Sequence, residues 1–178
     1  MVRQIHSSDS DSLRDKLFAV LNDNKVSADK ALKALSQCEA HIRDRIMIET
    51  IVKECGLKMS RFIANDELEL YYDLKRGRHD MGYISKGWED PGFRIGDIIE
   101  IPKHKMELFK TNAYQIMKFC AINGIGMTVS EIKDAVEIHM DGVIYSEGFN
   151  KDTFMKTLET LNECVEKAEL LLVNNKDD

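Results

Sequence analysis

The sequence predicts an α+β fold: a mainly antiparallel sheet with helices packed on it, framed by long N-terminal and C-terminal amphipathic helices. Three observations predict it. Phe154, Leu158, Leu161, Val165, Ala168 and Leu172 step by four, three, four, three and four, the cleanest helical period in the 178 residues. Between positions 57 and 101 short apolar runs are separated by turn-forming Asn, Asp, Gly and Pro. Those connections are short enough for hairpins, which pair strands antiparallel and leave one face to be covered by helices.

Taken in order, residues 1–10 are polar and read as a disordered N-terminus. Leu13, Leu17, Phe18 and Leu21 space out a short amphipathic helix over 11–21. Ser27 is a suitable N-cap for a long helix reaching Cys55. Its stripe is Ala31, Leu35, Cys38, Ile42 and Ile46, widened by Met47, Ile51, Val52 and Cys55, and Gly56 is placed to end it. Residues 11–56 thus form an N-terminal helical extension to an α+β domain at 57–173.

That domain starts with strands Leu57–Ile63 and Glu67–Leu74 about a turn at Ala64-Asn65-Asp66. Lys75–Asp80 reads as a polar connection, Met81–Lys86 as a strand, Glu89-Asp90-Pro91-Gly92 as a turn and Phe93–Ile101 as a strand stopped by Pro102. A helix over Met106–Asn123 ends at Gly124, and Ile125–Ser130 is extended. Asp141-Gly142, between alternating apolar residues, reads as a further hairpin turn. Asn150 caps the last helix, and 174–178 is a charged tail.

Composition narrows the chemistry. Lys plus Arg is 25 against 31 for Asp plus Glu, a net charge of −6, which disfavours broad coating of nucleic acid. No apolar run approaches the roughly 18 residues of a membrane span. The polar start lacks the apolar stretch of a signal peptide, so a soluble cytoplasmic protein is expected. Cys38, Cys55, Cys120 and Cys164 are widely spaced and form no CxxC pair, and they read as buried reduced thiols. Cys38 and His41 lie three apart on a helix, yet tetrahedral zinc needs more ligands than that pair, and no metal or other cofactor is expected. GxSxG, Walker, GxGxxG and HExxH patterns are all absent, and the carboxylates fall near turns, so catalysis is disfavoured.

Two groups of residues remain as candidates for binding. Tyr72, Tyr83, Trp88 and Phe93 are aromatic residues in and around polar strands, of the kind enriched at protein interfaces. Lys75, Arg76, Arg78 and His79 are the densest positive cluster, suited to phosphate or an acidic surface.

The strand Glu67–Leu74, the helix Met106–Asn123, the strands Val136–Met140 and Val143–Phe149 and the final helix from Asn150 together resemble the fold of type III secretion chaperones and the YbjN-like family. The resemblance covers about two-thirds of the chain, from Cys55 to Leu172. It implies a non-enzymatic, chaperone- or adaptor-like protein that is homodimeric and binds an extended segment of another protein against its sheet. It also implies a dimer interface on the Met106–Cys120 helix, through Phe109, Ala113, Ile116 and Met117. The long N-terminal helix exceeds what that pattern needs. The alternatives are a nucleic-acid accessory protein using the 75–79 cluster with Arg94, Lys103 and Lys105, and an enzyme with an unrecognised site.

Overall fold

The computed structural model describes residues 27–61, 70–87 and 90–173, together with Ala19. The expected first helix (Ala19 apart), the turn Ala64-Asn65-Asp66, Trp88 and the tail at 174–178 lie outside the described residues. The chain falls into two units, Met1–Asp44 and Arg45–Asp178.

The first unit holds the opening turns of α1 (Ala28–Glu54). Ser27 Oγ accepts a hydrogen bond from the Lys30 amide at 3.4 Å, as an N-cap should. Ala31 is buried, but Leu35, Cys38 and Ile42 of the apolar stripe are exposed, and the exposure of Cys38 corrects the reading of four buried thiols. Helical spacing aligns side chains on one face; burial needs an element facing them, which spacing does not supply.

In the second unit, α1 ends with Ile48, Ile51 and Val52 buried. Gly56 adopts φ +69°, its amide reaching Lys53 O at 3.0 Å while the Leu57 amide reaches Val52 O at 3.1 Å. This pair of bonds uses up carbonyls left over at the helix end. Among the described residues six strands follow: β1 (Lys58–Arg61), β2 (Leu70–Arg76), β3 (His79–Lys86), β4 (Gly92–Pro102), β5 (Gly126–Glu131) and β6 (Ala135–Tyr145). They form one antiparallel sheet in the order β1-β2-β3-β4-β6-β5. Between β4 and β5 runs α2 (Met106–Ile122), and α3 (Lys151–Val173) closes the described chain. The α+β architecture is as expected.

Alternation along each strand puts Leu70, Tyr72, Leu74, Ile84, Phe93, Ile95, Ile138, Met140 and Ile144 on one face. There α3 packs on β4 and β6 with Phe154, Leu158, Leu161, Cys164, Ala168 and Leu172, as its period required. Fully burying side chains of this size stabilises by about 1.5–3 kcal/mol each. Next to α3 lies α2, burying Phe109, Ile116 and Cys120, and Asn112 Nδ2 on α2 donates to Leu171 O on α3 at 3.0 Å. The Asn150 side-chain oxygen accepts from the Asp152 and Thr153 amides, each at 3.0 Å, so the predicted cap of α3 is in place.

Two expected turns are corrected. Asp141-Gly142 lies inside β6, which runs unbroken for 11 residues. A Cβ on Gly142 would stand 2.9 Å from Thr157 Cγ2 and 3.1 Å from Ile125 Cδ1, so the glycine admits α3 and Ile125 close to the strand. The turn lies instead between β5 and β6, where the Ile132 amide bonds Ala135 O at 3.0 Å, and among the described residues two strands follow α2. Lys75–Asp80 is likewise no loose connection. It is the end of a hairpin, with β2 running to Arg76, β3 starting at His79 and Gly77 at φ +67° in the turn. Solvated charges suit a projecting hairpin end as well as a loop, so the charge run hid the strand ends.

Candidate functional site

The site begins with an irregularity in β3. Register between β2 and β3 shifts after Asp73↔Tyr83, placing an extra residue at Met81-Gly82, and Gly82 adopts φ +86°. A bulge of this kind bends its strand and ends pairing with a neighbour. Accordingly β3 pairs with β4 only through Tyr83↔Gly96, Ile84↔Ile95 and Ser85↔Arg94, whereas β6 pairs with β4 along all 11 residues. From Asp97 to Pro102, the side of β4 away from β6 has no strand paired to it among the described residues. Gly96 O points at Gly82, so by the two-residue period Ile98 and Glu100 turn their backbone groups to this same open side.

Two clefts flank the open stretch. One, of about 350 Å³, is lined by Tyr71, Asp73, Lys75, Asp80, Gly82, Tyr83, Asp97 and Ile98. The other, of about 370 Å³, lies between the end of β4 and the end of α3, with Ile99, Glu100, Ile101, Pro102, Lys105, Glu169 and Leu172. Together they carry five carboxylates and two lysines, one of which, Lys75, is paired with Asp80 at 3.1 Å. Asp97 Oδ1 accepts from the Ile98 amide at 2.8 Å, a local bond that occupies one backbone donor on the open edge. Burial pushes the Asp97 carboxyl up, the Ile98 amide offsets part of this, and the like charges of Glu169 and Asp80 add to it.

The structure separates the residues that the sequence grouped. Tyr72 and Phe93, 2% and 0% exposed, share the parity of Leu74 and Ile95 and lie under the helices, which corrects their reading as exposed binding aromatics. Tyr72 OH instead donates to Glu49 Oε1 at 3.4 Å. Tyr83 stands on the other face, laid over Gly96 and stacked on Tyr71 with ring centroids 4.9 Å apart. Phe109 and Ile116 are spent on the chain's own core, Ala113 is half-buried, and Met117 is exposed, as are Tyr114 and Ile122. Burial thus corrects the first two as interface residues, because α2 turns its most regular apolar positions toward α3. Lys75, Arg76, Arg78 and His79 are all exposed at the hairpin end, with Lys58 opposite Lys75 on β1. Arg94, by contrast, lies 3.8 Å from Asp141 on the open face.

The sequence reading missed a small cluster at Ser130, Glu137 and His139. His139 Nε2 lies 3.3 Å from Ser130 Oγ and 3.2 Å from Glu137 Oε2. Both neighbours meet the same ring nitrogen, so this is not the arrangement in which a base takes a serine proton while its other nitrogen is held by a carboxylate. No group of three His, Cys, Asp or Glu among the described residues is placed to hold a metal ion. None of the described helices is long and apolar enough to cross a membrane.

No family model matches the sequence, and no curated protein does. Solved structures do match in shape. An uncharacterized protein from Methanothermobacter thermautotrophicus superposes with a TM-score of 0.59 at 11% identity, over 72% of this chain and 95% of that one. The two share a fold. YbjN from E. coli, described as a candidate transcription regulator, is a more distant structural neighbour, with a TM-score of 0.48 at 10% identity over 69% of this chain and 89% of its own.

Proposed function

We propose that this chain is a non-enzymatic, cytoplasmic protein-binding module, adaptor- or chaperone-like, that takes an extended segment of another polypeptide as an added strand on β4. One observation carries the reading: among the described residues, no strand pairs with the backbone of Asp97–Pro102 on one side, between two clefts. An added strand gains main-chain hydrogen bonds from such an edge, and the clefts receive its alternate side chains. The bulge at Gly82 favours this by holding β3 away from the place the segment would fill. Peptides selected from a random phage library on the immobilised chain test it. Amide exchange at Ile98 and Glu100 should slow when a selected peptide is added. Selected peptides that leave both amides exchanging as in the free chain, or no selection at all, would overturn the reading.

The second copy implied by a homodimer has a natural place on α2 and β5. Tyr114 and Met117, three apart on α2, are exposed, as is Ile122, and Val129 is exposed on β5, an edge strand that packs beside it. A two-fold interface uses the same patch on both copies, as an edge strand pairing antiparallel with itself would. Light scattering should then give twice the 20.4 kDa chain mass, falling to a single chain in Met117→Lys with Val129→Lys. A single-chain mass in the unmodified protein would refute the dimer.

A further inference from the structure

The open edge of β4 is acidic in a way its own neighbours do not balance. Asp80 has Lys75, but Asp97 has no ion pair among the described residues, and its one hydrogen bond is the Ile98 amide. An ionised carboxylate offers about four acceptor positions, and the Ile98 amide takes one of them. Asp73 and Asp80 line the same cleft as Asp97, and Glu169 stands close enough to raise the Asp97 carboxyl further. The carboxylates are not grouped to hold a metal ion. An organic cation carried on a side chain is therefore the charge that suits the cleft.

Strand geometry sets where that cation sits. Asp97, Ile99 and Ile101 share one parity on β4, with Ile99 and Ile101 lining the second cleft beside Leu172. A strand added to this edge presents its side chains with the same period of two, so the residue beside Asp97 and the residue two further on fall on one face. The first meets a carboxylate and the second meets aliphatic side chains.

We infer that the segment bound by β4 is a basic one, carrying a lysine or arginine that meets Asp97 and, two residues away, an apolar side chain that meets Ile99, Ile101 and Leu172. This rests on the strand-addition reading above and specifies its partner. A charge-assisted hydrogen bond between ammonium or guanidinium and the half-buried carboxylate supplies selectivity that the backbone bonds lack.

Three labelled octapeptides test it by fluorescence anisotropy: Thr-Lys-Thr-Val-Thr-Lys-Thr-Val and its counterparts with Gln or Glu in place of both Lys. The Lys peptide should bind at least ~10-fold more tightly than the Glu peptide, and the gap should narrow as salt rises. Asp97→Asn should lower affinity for the Lys peptide to that for the Gln peptide while keeping an oxygen to accept from Ile98. That variant should fold normally. The native Asp97 carboxyl is raised, so the unfolded chain loses this proton first, and stability drops as pH climbs through and above the ordinary carboxylate range. Removing the charge should leave the thermal midpoint at neutral pH equal or higher. Equal affinity for all three peptides, with Ile98 and Glu100 protected in each, would overturn the basic-segment inference and leave strand addition standing. Lys-peptide binding unchanged by Asp97→Asn would overturn the role of Asp97. If none of the three binds, this inference and strand addition at β4 are both refuted.

Discussion

Phe93→Ala is expected to cost about 3–5 kcal/mol of unfolding free energy, the range for truncating a fully buried aromatic side chain. Phe93 has no exposed surface, and its ring stacks on Phe149 with centroids 3.9 Å apart, while Phe149 meets Phe154 edge-on at 6.0 Å. The three rings tie β4 to the entry of α3, so truncation leaves a cavity between sheet and helix. A second consequence follows from Lys86. Its side chain is buried, its ammonium donates to Asp90 O, and it stands 5.6 Å from the Phe93 ring centroid. Without the ring, that ammonium loses both a cation–π contact and its cover. Urea unfolding should show the midpoint falling with the slope little changed, since the surface exposed on unfolding is nearly the same. A loss below about 1 kcal/mol would mean that the β4–α3 contact repacks freely, contrary to the close packing of protein cores.

Gly82→Val should be nearly as damaging, at roughly 2–5 kcal/mol, and should act at the site. At φ +86° a β-branched residue is strained, a cost of about 1–3 kcal/mol. A Cβ there would also stand 2.2 Å from Gly96 O, a backbone atom that cannot swing aside, and relief of such overpacking costs a further ~1–3 kcal/mol. Relief requires β3 to part from β4, so Tyr83 would lose its seat on Gly96 and the β3–β4 pairing would weaken. Thermal unfolding measures the stability loss, and amide exchange should show faster opening at Arg94 and Gly96, whose backbone groups face β3, than at Ile138. Protection at Gly96 equal to that in the parent chain would show that the bulge tolerates a side chain and that Gly82 is not what separates the strands.

The particular elements show where local signals suffice. The period of α3, the Asn150 cap and the left-handed glycines Gly56 and Gly124 act within a few residues of chain, and each stands where its residues place it. Asp141-Gly142 carries the local signal of a turn, yet the structure uses the glycine for room beside Thr157 and Ile125. Tyr72, Phe93, Phe109 and Ile116 carry the residue types of an interface, but strand parity and helix facing turn them into the core. The open edge of β4 had even less of a trace. Its one visible marker was Gly82 inside an apolar-alternating run, which signals a bulge or a close backbone approach.

What the sequence by itself determined is the set of elements and the class of fold, because hydrophobic period, capping residues and left-handed glycines act over a handful of neighbouring positions. It also determined the net charge of −6, which disfavours broad coating of nucleic acid. Only the tertiary structure decided which strand lies beside which, which face the helices cover, and that β4 keeps one side open between two clefts. Those are properties of residues far apart in the chain, such as Gly82 against Gly96 or Asp97 near Glu169, and no local pattern records a contact whose two halves are encoded separately.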